Sequence, residues 1–295
     1  IAVCYLHAYK ESKHEKETRA RIESKLPGVS VSLSSEVFPE IKEYERVSTT
    51  VVNAYVRPVV EKYLRKLGDR LRETGYQGPV LIILSHGGVA PIDEAVRLAA
   101  GTVLSGPAGG VAGSRYGSSL IGAENLVPFD MGGTSTDISM IVNGEPALSS
   151  TRGIAGQRVA LQSLDIVSIA SGGGSIARVD NGGILRVGPE SAGAVPGPAC
   201  YGKGGVEVAV TDASVVLGFL DPNNFLGGRE SLDKEAAEVA VDKLASKLSV
   251  GRAEAAEGIH RVINTQMAEG IRLVSVRRGV DPRKFALLSF GGAAG

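Results

Sequence analysis

The chain has little cysteine, no excess charge of either sign and no long apolar run. Its two cysteines, Cys4 and Cys200, lie far apart and fit no metal-ligand spacing, which removes a cysteine-based metal site and suits a reducing, cytoplasmic home. Lys plus Arg and Asp plus Glu number 32 each, so the charge balance favours neither a nucleic-acid partner nor a membrane surface. No stretch is apolar for long enough to span a bilayer, and the first residues lack the pattern of a secretory leader. What is present is an ordinary globular composition, 43% hydrophobic and 22% charged, in a chain long enough for one large core or two smaller ones. Glycine is abundant, and many glycines cluster between strand-like runs, which predicts tight turns and ligand-facing loops.

The stretch richest in chemistry is 126–142, LVPFDMGGTSTDISMIV. An apolar run reaches Phe129; Asp130, Gly132-Gly133-Thr134 and Asp137 follow; then a second alternating run begins. The pattern predicts strand, tight turn, strand. Two glycines let the backbone turn sharply and bring several N–H groups toward one point, where an anion, most often phosphate, can bind. A carboxylate at the strand end beside such a cradle is a natural partner for Mg²⁺, directly or through water. The same residues also read as a plain β-hairpin with a Gly-Gly turn and a solvated Asp.

IAVCYLHA (1–8) opens as a strand, so residue 1 is expected not to be a natural start. A charged helix is predicted over about 12–26, stopped by Pro27-Gly28, and VSVSL (29–33) alternates like a strand. Strand, helix, strand is the unit of a parallel sheet. His7 and His14 stand across a turn from one another, as a metal pair or as solvated or capping side chains. A long helix is predicted over about 41–74, with Val47, Val51, Ala54, Val59, Leu64, Leu67 and Leu71 at helical spacing and with Pro58 kinking or restarting it. PVLIILSHGG (79–88) does not alternate and reads as a strand buried on both faces. His86 would then lie just past its C-terminal end, where ligands bind in α/β sheets, or serve as a turn residue.

Residues 91–100 read as a short helix. Residues 102–120 join an apolar strand to a helix whose small residues, Ala108, Gly109, Ala112 and Gly113, allow close packing and also suit a hinge between two lobes. In DIVSIASGGGSIAR (165–178), Gly172-Gly173-Gly174-Ser175 could cradle a second anion or form an ordinary glycine-rich turn. Residues 183–205 read as an ordered surface loop, with Cys200 as a packed side chain or a catalytic thiol. Asp212 is placed to N-cap a helix. Two amphipathic helices, 234–248 and 252–278, precede KFALLSFGGAAG (284–295), a buried strand entering a glycine-rich turn beyond which the chain is expected to continue. Met267, on the second helix, reads as core filling.

The order of these pieces resembles the plan of the actin-like ATPases, in which two lobes clamp a nucleotide between two phosphate hairpins and an adenosine loop. FDMGGTSTD (129–137) resembles the second phosphate hairpin, SGPAGGVAG (105–113) the first connecting helix and SFGGAAG (289–295) the adenosine loop. More closely, the chain resembles the hydantoinase A/oxoprolinase family. The resemblance is carried by SSEVFPEIKEYERVSTTVVNAYVRP (34–58), SHGGV (85–89), SGPAGGVAG, FDMGGTSTDIS, SGGGSIARVD (171–180), VGPESAGAVPGPACYG (187–202) and TDASVVLG (211–218), in the family's order. His86 stands where the family usually has Asn. The family's first phosphate hairpin is absent and is expected upstream of residue 1.

The resemblance implies an α/β, actin-like ATPase (ribonuclease H-like) two-lobed fold, incomplete at the N-terminus. Residues 1–122 would be the remainder of the first lobe plus the connecting helix, and 123–295 the second lobe. It also implies an ATP-dependent enzyme that opens a small cyclic amide such as 5-oxoproline or a hydantoin, with ATP and Mg²⁺, and with a hydantoinase B-like subunit or fused domain as partner. Gly132, Gly133 and Thr134 would hold the phosphates. Asp130, with Asp137, would bind Mg²⁺ or orient a nucleophile, and Gly291 and Gly292 would face the adenine or ribose. His86, Gly173 and Ser175 are further loop or substrate candidates. The related acetone carboxylase β subunits, and a nucleotide-binding module with little catalysis of its own, are the alternatives.

Overall fold

The structure, a computed structural model, describes residues 1–154 and 156–294. It is a mixed α/β chain in two compact units, Ile1–Gly113 with Pro146–Asp165, and Ser114–Glu145 with Ile166–Gly295. The division differs from the expected boundary at 122/123 in two places: it falls inside a helix, and a later segment returns to the first unit.

In the first unit, β1 (Ala2–Val3) and β2 (Ser32–Leu33) pair in parallel across helix α1 (Lys13–Lys25), the expected strand–helix–strand. A single turn, α2 (Ser34–Val37), leads to α3 (Glu43–Glu73), which runs through Pro58 without a break. The apolar residues predicted to face a core only partly do so. Leu64 is buried, but Val47, Val51 and Val59 are exposed, and the buried face of the first turns carries Arg46, Ser48, Thr49, Thr50 and Asn53. These polar groups are held by neighbouring segments: Asn53 donates to Ser32 Oγ (3.0 Å) and Arg97 O (3.1 Å) and accepts from Ala100 N (2.9 Å). A polar face buries without large cost when each group finds a partner, and periodicity of apolar residues alone does not reveal that face.

β3 (Leu81–Ile83) and β4 (Val89–Pro91) form an antiparallel hairpin, not a doubly buried parallel strand, and Leu81 and Ile83 are exposed. Helix α4 (Ile92–Arg97) follows, then α5 (Ser105–Ile121), within which the two units divide. The strand expected over the residues just before α5 is not among the described elements; a 3₁₀ turn, Ala99–Thr102, stands there. The small-residue expectation holds at Gly109, where a Cβ would come within 3.2 Å of Ile83 Cδ1.

In the second unit, β5 (Leu126–Met131) and β6 (Thr136–Ile138) form the predicted hairpin. The meander goes on through β7 (Ile141–Val142) and β8 (Glu145–Pro146). The chain then leaves for two hairpins of the first unit, β9 (Leu148–Ser149) with β12 (Ser163–Leu164) and β10 (Arg152–Ile154) with β11 (Gln157–Val159). It returns with β13 (Val167–Ile169), which pairs β6, and with the β14 (Ser175–Val179)–β15 (Leu185–Ser191) hairpin. Helices α6 (Val210–Val216), α7 (Lys234–Leu248) and α8 (Arg252–Val274) pack on one another, and the last strand, β16 (Ala286–Phe290), lies parallel to β5. β16 was expected to be buried; Leu287 is exposed, and among the described residues β16 is an edge strand paired with β5 alone. α8 approaches the sheet closely at Gly270, where a Cβ would lie 2.6 Å from Ile138 Cδ1. The core under it joins Phe129, Met131, Ile138 and Val274, with Met267 packed against it as expected.

Candidate functional site

The β5–β6 hairpin turns through Gly132-Gly133-Thr134-Ser135, and Gly132 N donates to Ser135 O (2.9 Å). That bond closes the turn and withdraws the Gly132 N–H from any cradle. The N–H groups of Gly133 and Thr134 have no acceptor among the described residues, and both residues are exposed. The free set is therefore two amides and the Thr134 hydroxyl, one amide fewer than expected.

The second glycine turn does not bind an anion through its amides, because all four are occupied. Gly173 N donates to Gly132 O (3.1 Å), Gly174 N to Gly133 O (2.6 Å), Ser175 N to Gly172 O (3.0 Å) and Gly172 N to Ser175 Oγ (2.9 Å). Gly173 and Gly174 thus brace the first turn, while Ser175 closes the second turn on Gly172. Backbone contact explains the glycines: a Cβ on Gly172 would lie 2.7 Å from Gly132 O, and one on Gly174 2.9 Å from Gly133 O.

Asp130 and Asp137 are paired across β5 and β6, so they share the sheet face opposite Phe129 and Met131. Asp137 accepts from Ser168 Oγ on β13, a contact that sequence reasoning missed although Ser168 is the polar member of an alternating run. Asp130 is half-buried, and burial, followed by the charge of Asp137, raises its carboxyl above the ordinary value. Among the described residues no group of three or more His, Cys, Asp or Glu could hold a metal ion. Two carboxylates still fit Mg²⁺, which is commonly held by one or two protein carboxylates plus phosphate oxygens and water.

β16 brings the last glycines to the same end of the sheet. Phe290 is in register with Asp130, and the chain bends at Gly291, whose φ is +100°. A Cβ there would strike Asp130 Oδ1 and lie 2.5 Å from Met131 O, so only glycine fits. Gly292 has open space around its Cβ position. The structure therefore gathers Asp130, Asp137, Gly132–Thr134, Gly173, Ser175, Gly291 and Gly292 into one region of the second unit.

Beside them is a cavity of 610 Å³. Phe129, Met131 and Leu287 form part of its wall from the sheet, α6 and α8 contribute His260, Asn264 and Met267 among others, and Gly133, Gly173 and Gly292 stand at its edge. His260 and Asn264 were not anticipated. The signal was there: two polar residues four apart on α8, beside the apolar positions Ile259 and Ile263.

Three other candidates do not have the roles expected of them. His86 belongs to the first unit and sits exposed in the β3–β4 turn, with its ring folded over Gly88, so the premise of a ligand site beyond a parallel strand fails. Asp212 is not an N-cap but lies in the first turn of α6, fully buried, accepting from Ala209 N (2.8 Å), Cys200 N (2.7 Å) and Ala199 N (3.2 Å). Cys200 is buried, and desolvation followed by the Asp212 charge pushes its thiol far up, which rules it out as a ready nucleophile.

Among the described residues no helix is long and apolar enough to cross a membrane. The chain is 41% identical over 296 residues to caprolactamase subunit alpha of Pseudomonas jessenii, covering 100% of this chain and 42% of that one. The crystal structure of the ATP-dependent caprolactamase from that organism matches with a TM-score of 0.78 at 40% identity, over 98% of this chain and 42% of that chain. A nucleotide-free acetone carboxylase structure, from work on ATP-dependent acetone carboxylation, matches with a TM-score of 0.85 at 30% identity, over 100% and 42% of the two chains. The chain thus spans less than half the length of these relatives. Residues 46–295 match the model of the Hydantoinase/oxoprolinase family, and the chain belongs to that family.

Proposed function

We propose that this chain is the nucleotide-binding part of an actin-like, ATP-dependent enzyme that opens a cyclic amide. One observation carries the proposal. The free amides of Gly133 and Thr134, the Asp130–Asp137 pair and the Gly291-Gly292 bend meet at one end of the sheet, beside a cavity of 610 Å³. Phosphates would sit on the Gly133 and Thr134 amides and the Thr134 hydroxyl, and the nucleoside would extend past Gly292 into the cavity. Gly132 would act by holding the turn closed, Gly173 and Gly174 by bracing it, and Ser175 by closing the second turn that carries them. Asp130 and Asp137 would hold Mg²⁺, which when bound neutralises phosphate charge.

The chemistry fits such a site. An amide is resonance-stabilised, so direct hydrolysis is slow. If the amide oxygen takes the γ-phosphoryl group and ADP leaves, water can attack the activated carbon, the ring C–N bond breaks as the amine takes a proton and leaves, and a second water hydrolyses the resulting acyl phosphate to carboxylate and phosphate. Phosphoryl transfer of this kind needs positioning and charge neutralisation more than covalent help from the protein. The family and the relatives named caprolactamase and 5-oxoprolinase support a lactam-type substrate. Relatives named as subunits support a second, hydantoinase B-like partner, fused or separate. A second reading, carbonyl phosphorylation followed by carboxylation, is favoured by the TM-score of 0.85 to acetone carboxylase.

The test is ATP turnover by the whole protein with 5-oxoproline, hydantoin, caprolactam, or acetone plus bicarbonate. Stimulation by one lactam supports the proposal, stimulation by acetone and bicarbonate supports the second reading, and binding without turnover points to a non-catalytic module. Asp130→Ala is expected to abolish Mg-ATP turnover while circular dichroism stays unchanged. Full turnover in that variant refutes the role of Asp130.

A further inference from the structure

The cavity beside the glycine turns has a polar corner that phosphate binding does not use. Three of the hydroxyls that line it are already engaged with backbone: Thr211 Oγ1 donates to Gly173 O (2.8 Å), Ser214 Oγ to Val210 O (3.1 Å) and Ser289 Oγ to Ala294 O (3.3 Å). Two groups are not engaged. The Asn264 amide has no partner among the described residues, and neither has Nδ1 of His260. His260 and Asn264 are one turn apart on α8, so their side chains emerge on one face, and both line the cavity.

The ring of His260 is fixed on two sides. Its Nε2 lies 3.1 Å from Ser214 Oγ, and Phe219 meets the ring edge-on with 5.1 Å between centroids. A hydroxyl has one hydrogen. In the arrangement where that hydrogen goes to Val210 O, Nε2 carries the imidazole proton and donates to Ser214, which leaves Nδ1 as a bare acceptor; the proposal uses this tautomer. Burial lowers the affinity of this ring for a second proton, which keeps it neutral.

We propose that His260 and Asn264 read the base of the bound nucleotide and select adenine over guanine. The inference rests on the nucleotide reading of the glycine turns. A fixed acceptor at Nδ1 takes a hydrogen from the 6-amino group of adenine and opposes the 6-carbonyl oxygen of guanine. Asn264 offers a donor and an acceptor side by side, which matches the ring nitrogen and amino hydrogen of the same edge, as amide side chains do when they pair with adenine elsewhere. Alone, Asn264 could rotate to suit either purine. The histidine tautomer breaks that symmetry.

The experiment is isothermal titration calorimetry of the whole protein with ATP, GTP and inorganic tripolyphosphate, in wild type, Asn264→Ala and His260→Phe. Wild type is expected to bind ATP at least about tenfold more tightly than GTP. His260→Phe should bring the two within about threefold, and Asn264→Ala should weaken ATP about tenfold. Tripolyphosphate, which has no base, should bind all three proteins alike. Asn264 is exposed on a helix and alanine is a good helix former, so that variant should fold even if His260→Phe does not. Equal weakening of all three ligands marks a structural role and overturns the proposal. A wild type that binds ATP and GTP equally overturns it while leaving the phosphate site standing. No binding of any of the three overturns both.

Discussion

Asp130 faces Asp137 directly across the β5–β6 pair, with both side chains on one face of the sheet. Burial first, and then the charge of Asp137, raise the Asp130 carboxyl above its ordinary value. Two carboxylates on one face of a sheet set up a like-charge repulsion. A divalent ion would relieve it.

The raised carboxyl sets a pH dependence whose sign can be worked out. Just above the ordinary carboxylate value, the unfolded chain has lost a proton that folded Asp130 keeps, so this group's contribution to stability falls as pH rises through its folded pKa. Asp130→Asn removes that penalty. The variant is expected to be more stable than wild type at neutral pH, by less than about 1 kcal/mol because solvent screens the pair, and the difference should vanish in acid. Urea denaturation at the two pH values, without Mg²⁺, checks this; a variant less stable at neutral pH than in acid, relative to wild type, would sink the like-charge account.

The two glycine turns should respond differently to one added carbon. A Cβ on Gly133 meets nothing within 4 Å, whereas one on Gly172 would lie 2.7 Å from Gly132 O and 2.8 Å from Gly133 O. Gly133→Ala is expected to keep wild-type stability. Gly172→Ala should lose about 1–3 kcal/mol, because rigid backbone must shift. Chemical denaturation measures both, and equal stabilities would show that the second turn does not brace the first.

Asp212 ties the start of α6 to the loop at Cys200 through three backbone N–H groups. Asp212→Ala leaves those donors buried and unpaired, with an expected loss of about 3 kcal/mol or more. Asp212→Asn keeps one acceptor oxygen and should lose less. The midpoints of urea melts give the order; if both variants match wild type, the latch is not structural.

Much of the second unit was legible in the sequence because its signals are local. Apolar-Asp-x-Gly-Gly-Thr specifies a strand and a sharp turn within a few residues, and α7 matches the predicted 234–248. The predictions that failed concerned partners distant in the chain. Whether the Gly173 and Gly174 amides are free depends on where Gly132 and Gly133 stand, about 40 residues earlier in the chain, and no local pattern encodes that. Periodicity placed Val47, Val51 and Val59 on a helix but could not say that polar Arg46, Thr49 and Asn53 would find partners distant in the chain and take the buried side.

By itself the sequence determined most helices, the glycine turn of the β5–β6 hairpin and the family, because turn geometry and apolar spacing act over one or two turns of chain. Only the tertiary structure decided which backbone amides stay free, that 146–165 belongs with the first unit, and that His260 and Asn264 share a cavity with Gly133 and Gly292. A hydrogen bond or a cavity wall needs two groups at one place, and that coincidence is set by packing, not by neighbours along the chain.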